Sequence, residues 1–130
     1  MLIAIYHLEL TKLAADMINA GQLKNIHELY LNAGHFGDNE TRKQIWDATD
    51  DVIQFLSYKN VADLEVDEVD VNQALEHAYM LTQNLDRPWI DNYKFVKWLG
   101  SKHTRSSSVG DIFVIDGDRY VVDSCGFDRM

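Results

Sequence analysis

Apolar residues recur along this chain with two different periods, and each period predicts a different element. Leu2, Ala4, Tyr6, Leu8 and Leu10 alternate with Ile3, Ile5, His7 and Glu9. That two-residue period predicts an opening strand buried more on one face. After a candidate cap at Thr11, Leu13, Ala14, Met17 and Ile18 recur at helical spacing, and Gly21 is placed to end the helix. Leu23, Ile26, Leu29, Tyr30 and Ala33 form a second helical stripe, which the turn formers from Asn32 to Asn39 interrupt. Thr41 and Gln44 have the spacing of a capping box. Beyond them, Ile45, Ala48, Val52 and Leu56 predict a third helix, its apolar face widened by Trp46, Ile53 and Phe55.

Helical spacing is lost from Tyr58 to Val66, where Val61, Leu64 and Val66 with Asp63 and Glu65 between them predict a second strand. Asp70, with Gln73 at the reciprocal position, starts a fourth helix whose buried face is Val71, Ala74, Leu75, Ala78, Leu81 and Leu85. Asn84 and Pro88 mark its end. Near the C-terminus Asp111 to Ile115 and Arg119 to Asp123 flank Asp116-Gly117, a dipeptide that accepts the positive φ of a tight hairpin turn. The expected architecture is one α+β domain over residues 1–130, a small mainly antiparallel sheet with a C-terminal β-hairpin, packed by three to four helices.

Composition agrees with a folded domain. Of 130 residues, 46% are hydrophobic and 11% aromatic, enough to build a core, which excludes a disordered chain. No stretch reaches the roughly 20 apolar residues that cross a bilayer, and the start lacks the basic flank of a signal peptide. A cytoplasmic protein with no membrane contact is expected. The single cysteine, Cys125, cannot form an internal disulfide or a cysteine-based zinc site.

Charge changes the picture more. There are 21 acidic and 12 basic residues, a net charge of −9, which disfavours nucleic acid and anionic membranes as partners. The excess is local: residues 46–86 hold ten acids and one base, and the other 89 residues hold eleven of each. A single-sign field of this kind steers a partner of opposite sign. The candidate partner-binding face is therefore Asp47, Asp50, Asp51, Asp63, Glu65, Asp67, Glu68 and Asp70, offered to a basic groove on another protein, either by mimicking nucleic acid or as a docking patch. A solvated helix flank and a charge-protected edge strand are the simpler account of the same pattern.

A second candidate lies downstream. Trp89, Tyr93 and Trp98 interleave with Lys94, Lys97, Lys102 and Arg105, the composition of a surface that stacks bases and tracks phosphates in single-stranded nucleic acid. A third is a small thiol enzyme at Cys125, with His103 and Asp123 supplying a base and an orienting acid. Against it, a lone cysteine beside Gly and Phe is more often a small buried hydrophobe. The five histidines include no pair at i, i+4 spacing, so no metal site is expected, and no cofactor motif is present. Asp116-Gly117-Asp118 reads as a turn, and Gly34-His35-Phe36-Gly37 as a plain loop, because no Lys-Ser/Thr follows it. The two early helices offer an apolar surface that could support a homodimer.

The segment Arg105-Ser106-Ser107-Ser108-Val109-Gly110-Asp111, then a strand, Asp116-Gly117, Tyr120 and Ser124-Cys125-Gly126-Phe127, resembles a signature of small phage and mobile-element proteins, the YodL-like group. Val61 to Val66 leading into Leu75 to Asn84, followed by Arg87-Pro88-Trp89, resembles their middle segment. The likeness spans roughly residues 58–128 and carries over no catalytic or ligand residue. It implies an accessory protein of a mobile element, with residues 1–57 a helical addition to a strand-helix-hairpin region. Physically the signature reads mostly as fold: Gly110-Asp111 turns the chain into the hairpin, Ser106 and Ser108 satisfy backbone groups, and Gly126 permits an unusual backbone before Phe127 anchors the end.

Overall fold

A computed structural model describes residues 1–48, 54–84, 89, 95–98 and 104–130, the stretch 95–98 by its backbone. In chain order the elements are β1 (Leu2–Leu10), α1 (Lys12–Asn19), α2 (Lys24–Ala33), α3 (Asn39–Asp47), β2 (Leu56–Glu65), α4 (Val71–Leu81), β3 (Phe95–Trp98), β4 (Ile112–Ile115), β5 (Asp118–Asp123) and β6 (Gly126–Arg129). The fold is α+β. The strands form one six-stranded sheet in the order β3-β2-β1-β4-β5-β6, with every pairing antiparallel.

The opening strand holds the middle of this sheet, between β2 and β4. The C-terminal hairpin therefore joins β2 only through β1. As expected, β1 is buried more on one face, though not on that face alone. Ile3 and Ile5 pack with Ala74, Leu75 and Ala78 of α4 and with Phe113, Ile115 and Val122 of the hairpin. Leu8 points the other way, into a smaller core of Ile26, Ala33, Ile45 and Leu56 contributed by α2, α3 and β2. Helices thus cover both faces of the central strand, which explains why both of its alternating sets are apolar.

Register shifts between Ile5 and Tyr6, where Ile5 faces Ala62 but Tyr6 faces Asn60, leaving Val61 as the extra residue of a bulge. Both Val61 and Ala62 are consequently buried. The Asn60 side-chain amide donates to the Ile5 carbonyl at 3.0 Å, serving a backbone group at the irregularity.

The helix starts follow local chemistry. Thr11 Oγ1 accepts from Ala14 N–H, and Asp70 Oδ1 accepts from Gln73 N–H, both as expected of N-caps. The third helix departs from expectation. Asp38, not Thr41, is its cap, accepting from Glu40 N–H, and Thr41 lies inside the first turn, donating its hydroxyl to Asp38. That helix also stops at Asp47, and Leu56 belongs to β2 rather than to the helical stripe. Gln54 and Phe55 are again helical directly before β2, so the apolar spacing read as one helix runs on into the strand. Val52 and Ile53, read into the same helix, lie outside the described residues. Helix α4 ends at Leu81, three residues ahead of Asn84.

The hairpin is as the sequence implies. Asp116 and Gly117 have φ of 51° and 82°, the paired positive values of a tight turn suited to strand twist. A further turn at Ser124-Cys125 adds β6, and Phe127 packs its ring 5.3 Å from that of Phe113.

Candidate functional site

The C-terminal signature segment builds a polar knot on β1. Asp111 is fully buried and accepts four hydrogen bonds: from Leu8 N–H at 2.8 Å, Ser108 N–H at 2.7 Å, and Arg105 Nη1 and Nη2 at 2.7 Å each. Arg105 Nη2 also donates to the Leu8 carbonyl at 2.9 Å. The β1–β4 ladder runs from Ala4–Val114 to Tyr6–Ile112, and the next backbone groups of β1 in line are those of Leu8. An ion pair thus stands in for the missing ladder rung, with the carboxylate as acceptor and the guanidinium as donor. Ser106 Oγ accepts from Asn84 N–H at 2.7 Å, tying the same segment to the end of α4.

Behind the knot lies His7, fully buried, with Nε2 3.0 Å from Ser107 Oγ. Burial holds this imidazole neutral, its pKa lowered to about 4, with Asp111 opposing the shift and Arg105 adding to it. The grouping of Ser, His and Asp does not make a catalytic triad. Asp111 Oδ2 approaches the same nitrogen that faces Ser107, at 3.8 Å, whereas a triad needs the acid on the other nitrogen. Ser107 is 2% exposed, and the Trp89 ring sits 6.0 Å from that of His7. The arrangement is a buried structural network.

On the opposite face of β1 the chain opens into a cleft of about 680 Å³. Leu8 forms its base. Tyr30, Leu31 and the loop Gly34-His35-Phe36-Gly37 form one wall, and Arg105, Ser108, Val109, Asp123 and Ser124 form the other. Phe36 is 66% exposed at the rim, with Val109 across from it. The two walls meet where Gly110, at φ +96°, is pressed on the 33–34 backbone: a Cβ there would lie 2.8 Å from Gly34 Cα. The loop that reads as plain in sequence is one side of this cleft. Its paired glycines were the available signal, and nothing in the sequence indicated that Gly110 would sit against Gly34.

The sequence-derived acids divide into groups. Asp63 and Glu65 lie on β2, and Asp67, Glu68 and Asp70 on the connection to α4, so these five gather at one end of the sheet, where Val69 is 92% exposed. Several have local tasks: Glu65 pairs with the N-terminal ammonium at 2.8 Å, Glu68 lies 2.6 Å from His77 Nδ1, and Asp70 caps α4. Asp47 ends α3 beside Trp46, whose ring stacks near Tyr6 and Tyr58. Tyr58 and Glu65 are seven residues apart on an extended strand, about 20 Å. The structure therefore does not bring Asp47 to the other five. Asp50 and Asp51 lie outside the described residues.

Among the basic and aromatic candidates, Trp89 belongs to the core at 3% exposure, donating its indole N–H to the Arg105 carbonyl at 2.8 Å. It cannot stack a base there. The Arg105 guanidinium is taken by Asp111. Lys97 and Trp98 lie on the edge strand β3, while Tyr93, Lys94 and Lys102 lie outside the described residues. Cys125, expected to be buried if structural, is instead exposed in the β5–β6 turn. Its proposed base His103 is outside the described residues. Among the described residues no helix is long and apolar enough to cross a membrane.

No family model, curated protein or solved structure matches this chain. Function has to be argued from the geometry.

Proposed function

We propose that this protein acts without catalysis, as an accessory protein of the kind phages and mobile elements encode, binding and modulating a host or phage protein that carries a basic surface. The observation that carries this reading is the acidic end of the sheet. Five carboxylates lie between Asp63 and Asp70, and within that run Val69 is an apolar side chain left 92% exposed. Carboxylates of one sign steer and orient a basic partner, and an exposed apolar residue among them supplies surface to bury on contact. A groove that ordinarily tracks phosphates is one surface of that description. The burial of His7 and Ser107 supports the non-catalytic half of the reading, because neither side chain is open to a substrate.

The test is a pull-down from bacterial lysate with the wild type, a variant with Glu65, Asp67 and Glu68 changed to Gln or Asn, and Asp47→Asn as the separated control. A partner retained by wild type and by Asp47→Asn, lost in the triple variant and released as salt rises, is the expected result. Equal recovery by all three proteins sinks the reading.

A further inference from the structure

Among the described residues Arg42 is the largest fully buried side chain, with no exposed surface. Its Nε donates to the Ala33 carbonyl at 2.6 Å and its Nη1 to Asn39 Oδ1 at 2.8 Å, both neutral acceptors. Nη2 is buried with no hydrogen-bond partner. Among the described residues Arg42 forms no ion pair, and Asp38, Asp123 and Asp128 act on it only through space. The carbonyl end of α2 and these carboxylates offset part of the charge, but a buried cation with no acid in direct contact is costly to hold.

The unpartnered nitrogen has an address. A Cβ built on Gly37 would lie 3.7 Å from Arg42 Nη2, and Gly37 lines the cleft. Gly37 thus borders both the free donor and a concavity of the size that small ligands occupy. The rest of the cleft defines what could enter. Phe36, Val109, Tyr30 and Leu31 offer apolar surface. Asp123, on the far wall, is held ionised by the Ser124 N–H and by Asp128, and repels negative charge at that side.

We propose that the cleft binds a small oxyanion, a carboxylate or phosphate monoester carried on an aromatic or apolar body, with Arg42 Nη2 as its charge partner and Phe36 and Val109 covering the body. The anionic end belongs on the Gly37 side, next to Arg42. Its entry requires the 34–37 loop to draw back, and glycine at both ends of that loop lowers the energy of the displacement.

The experiment titrates the isotope-labelled full chain with phenyl phosphate, benzoate, inorganic phosphate and, as the neutral analogue, benzyl alcohol, following amide shifts and the Arg42 Nε–H by NMR. Saturable shifts at residues 34–37 and at Arg42 are expected with phenyl phosphate or benzoate, at least about ten-fold tighter than with benzyl alcohol. The stronger of the two identifies the oxyanion. Phe36→Ser, at an exposed position, should weaken the aromatic anion several-fold and leave inorganic phosphate unchanged. Arg42→Met should abolish the response. No saturable shift with either aromatic anion up to about 10 mM, equal binding of benzyl alcohol, or full affinity in folded Arg42→Met would overturn the proposal. Should Arg42→Met not fold, the wild-type titration and Phe36→Ser decide the matter.

Discussion

One arginine lines the cleft and another lies buried beside its Gly37 wall, and their surroundings are opposite. Arg105 gives both terminal nitrogens to Asp111 and spans to the β1 backbone, so its charge is answered within the chain. Arg42 is more deeply buried yet meets only a carbonyl and an amide, and one nitrogen meets nothing. A fully answered buried charge fixes a register, whereas a half-answered one holds interaction capacity in reserve. The first region carries the stability of the sheet, and the second is available to a ligand.

Breaking the answered pair should have the largest effect. Asp111→Asn leaves Arg105 without its counter-ion and weakens acceptance from Leu8 and Ser108, and should destabilise the protein by about 3–5 kcal/mol, read by urea unfolding. Next comes His7. Its folded pKa of about 4 lies below the unfolded value near 6.5, so in that interval the unfolded chain binds a proton that the folded one does not. Its contribution is fully present above about pH 6.5 and is lost as pH falls toward 4. Between about pH 7.5 and pH 5 this amounts to about 2 kcal/mol, and His7→Gln should flatten the slope. An unchanged slope in that variant would remove His7 as its source.

Gly110→Ala tests the seam where the two walls touch. A methyl group there meets Gly34 backbone at a positive φ, with an expected loss of about 2 kcal/mol in thermal or chemical unfolding. The smallest change is expected at Arg42. Replacing a half-satisfied buried guanidinium with an apolar side chain of similar length should leave stability within about 1 kcal/mol of wild type. A loss at Arg42→Met as large as that at Asp111→Asn would break the contrast and make both arginines structural.

Much of the fold could be read from spacing alone. The opening strand, the first two helices, the strand around Val61 and the Asp116-Gly117 hairpin are all where local periodicity and turn chemistry put them. The third helix was misjudged because an apolar period continues from Ile45 to Leu56 across the change of element, and because Asp38 is as good a cap as Thr41. The two edge strands were missed, β6 for want of a strong turn signal at Ser124-Cys125 and β3 because aromatic and basic residues there also suit a surface. The site was less legible still. Trp89 reads as a stacking platform until its indole is seen on the Arg105 carbonyl.

Sequence by itself determined the class of the fold, the position of its turns and the concentration of charge in residues 46–86, since each depends on neighbours within a few positions. Tertiary structure decided which charges meet. Leu8 and Asp111 are 103 residues apart, and the close approach of Gly110 to Gly34 joins two loops distant in the chain. A pairing between distant residues leaves no periodic mark on the chain, so the difference between the answered arginine and the unanswered one emerges only on folding.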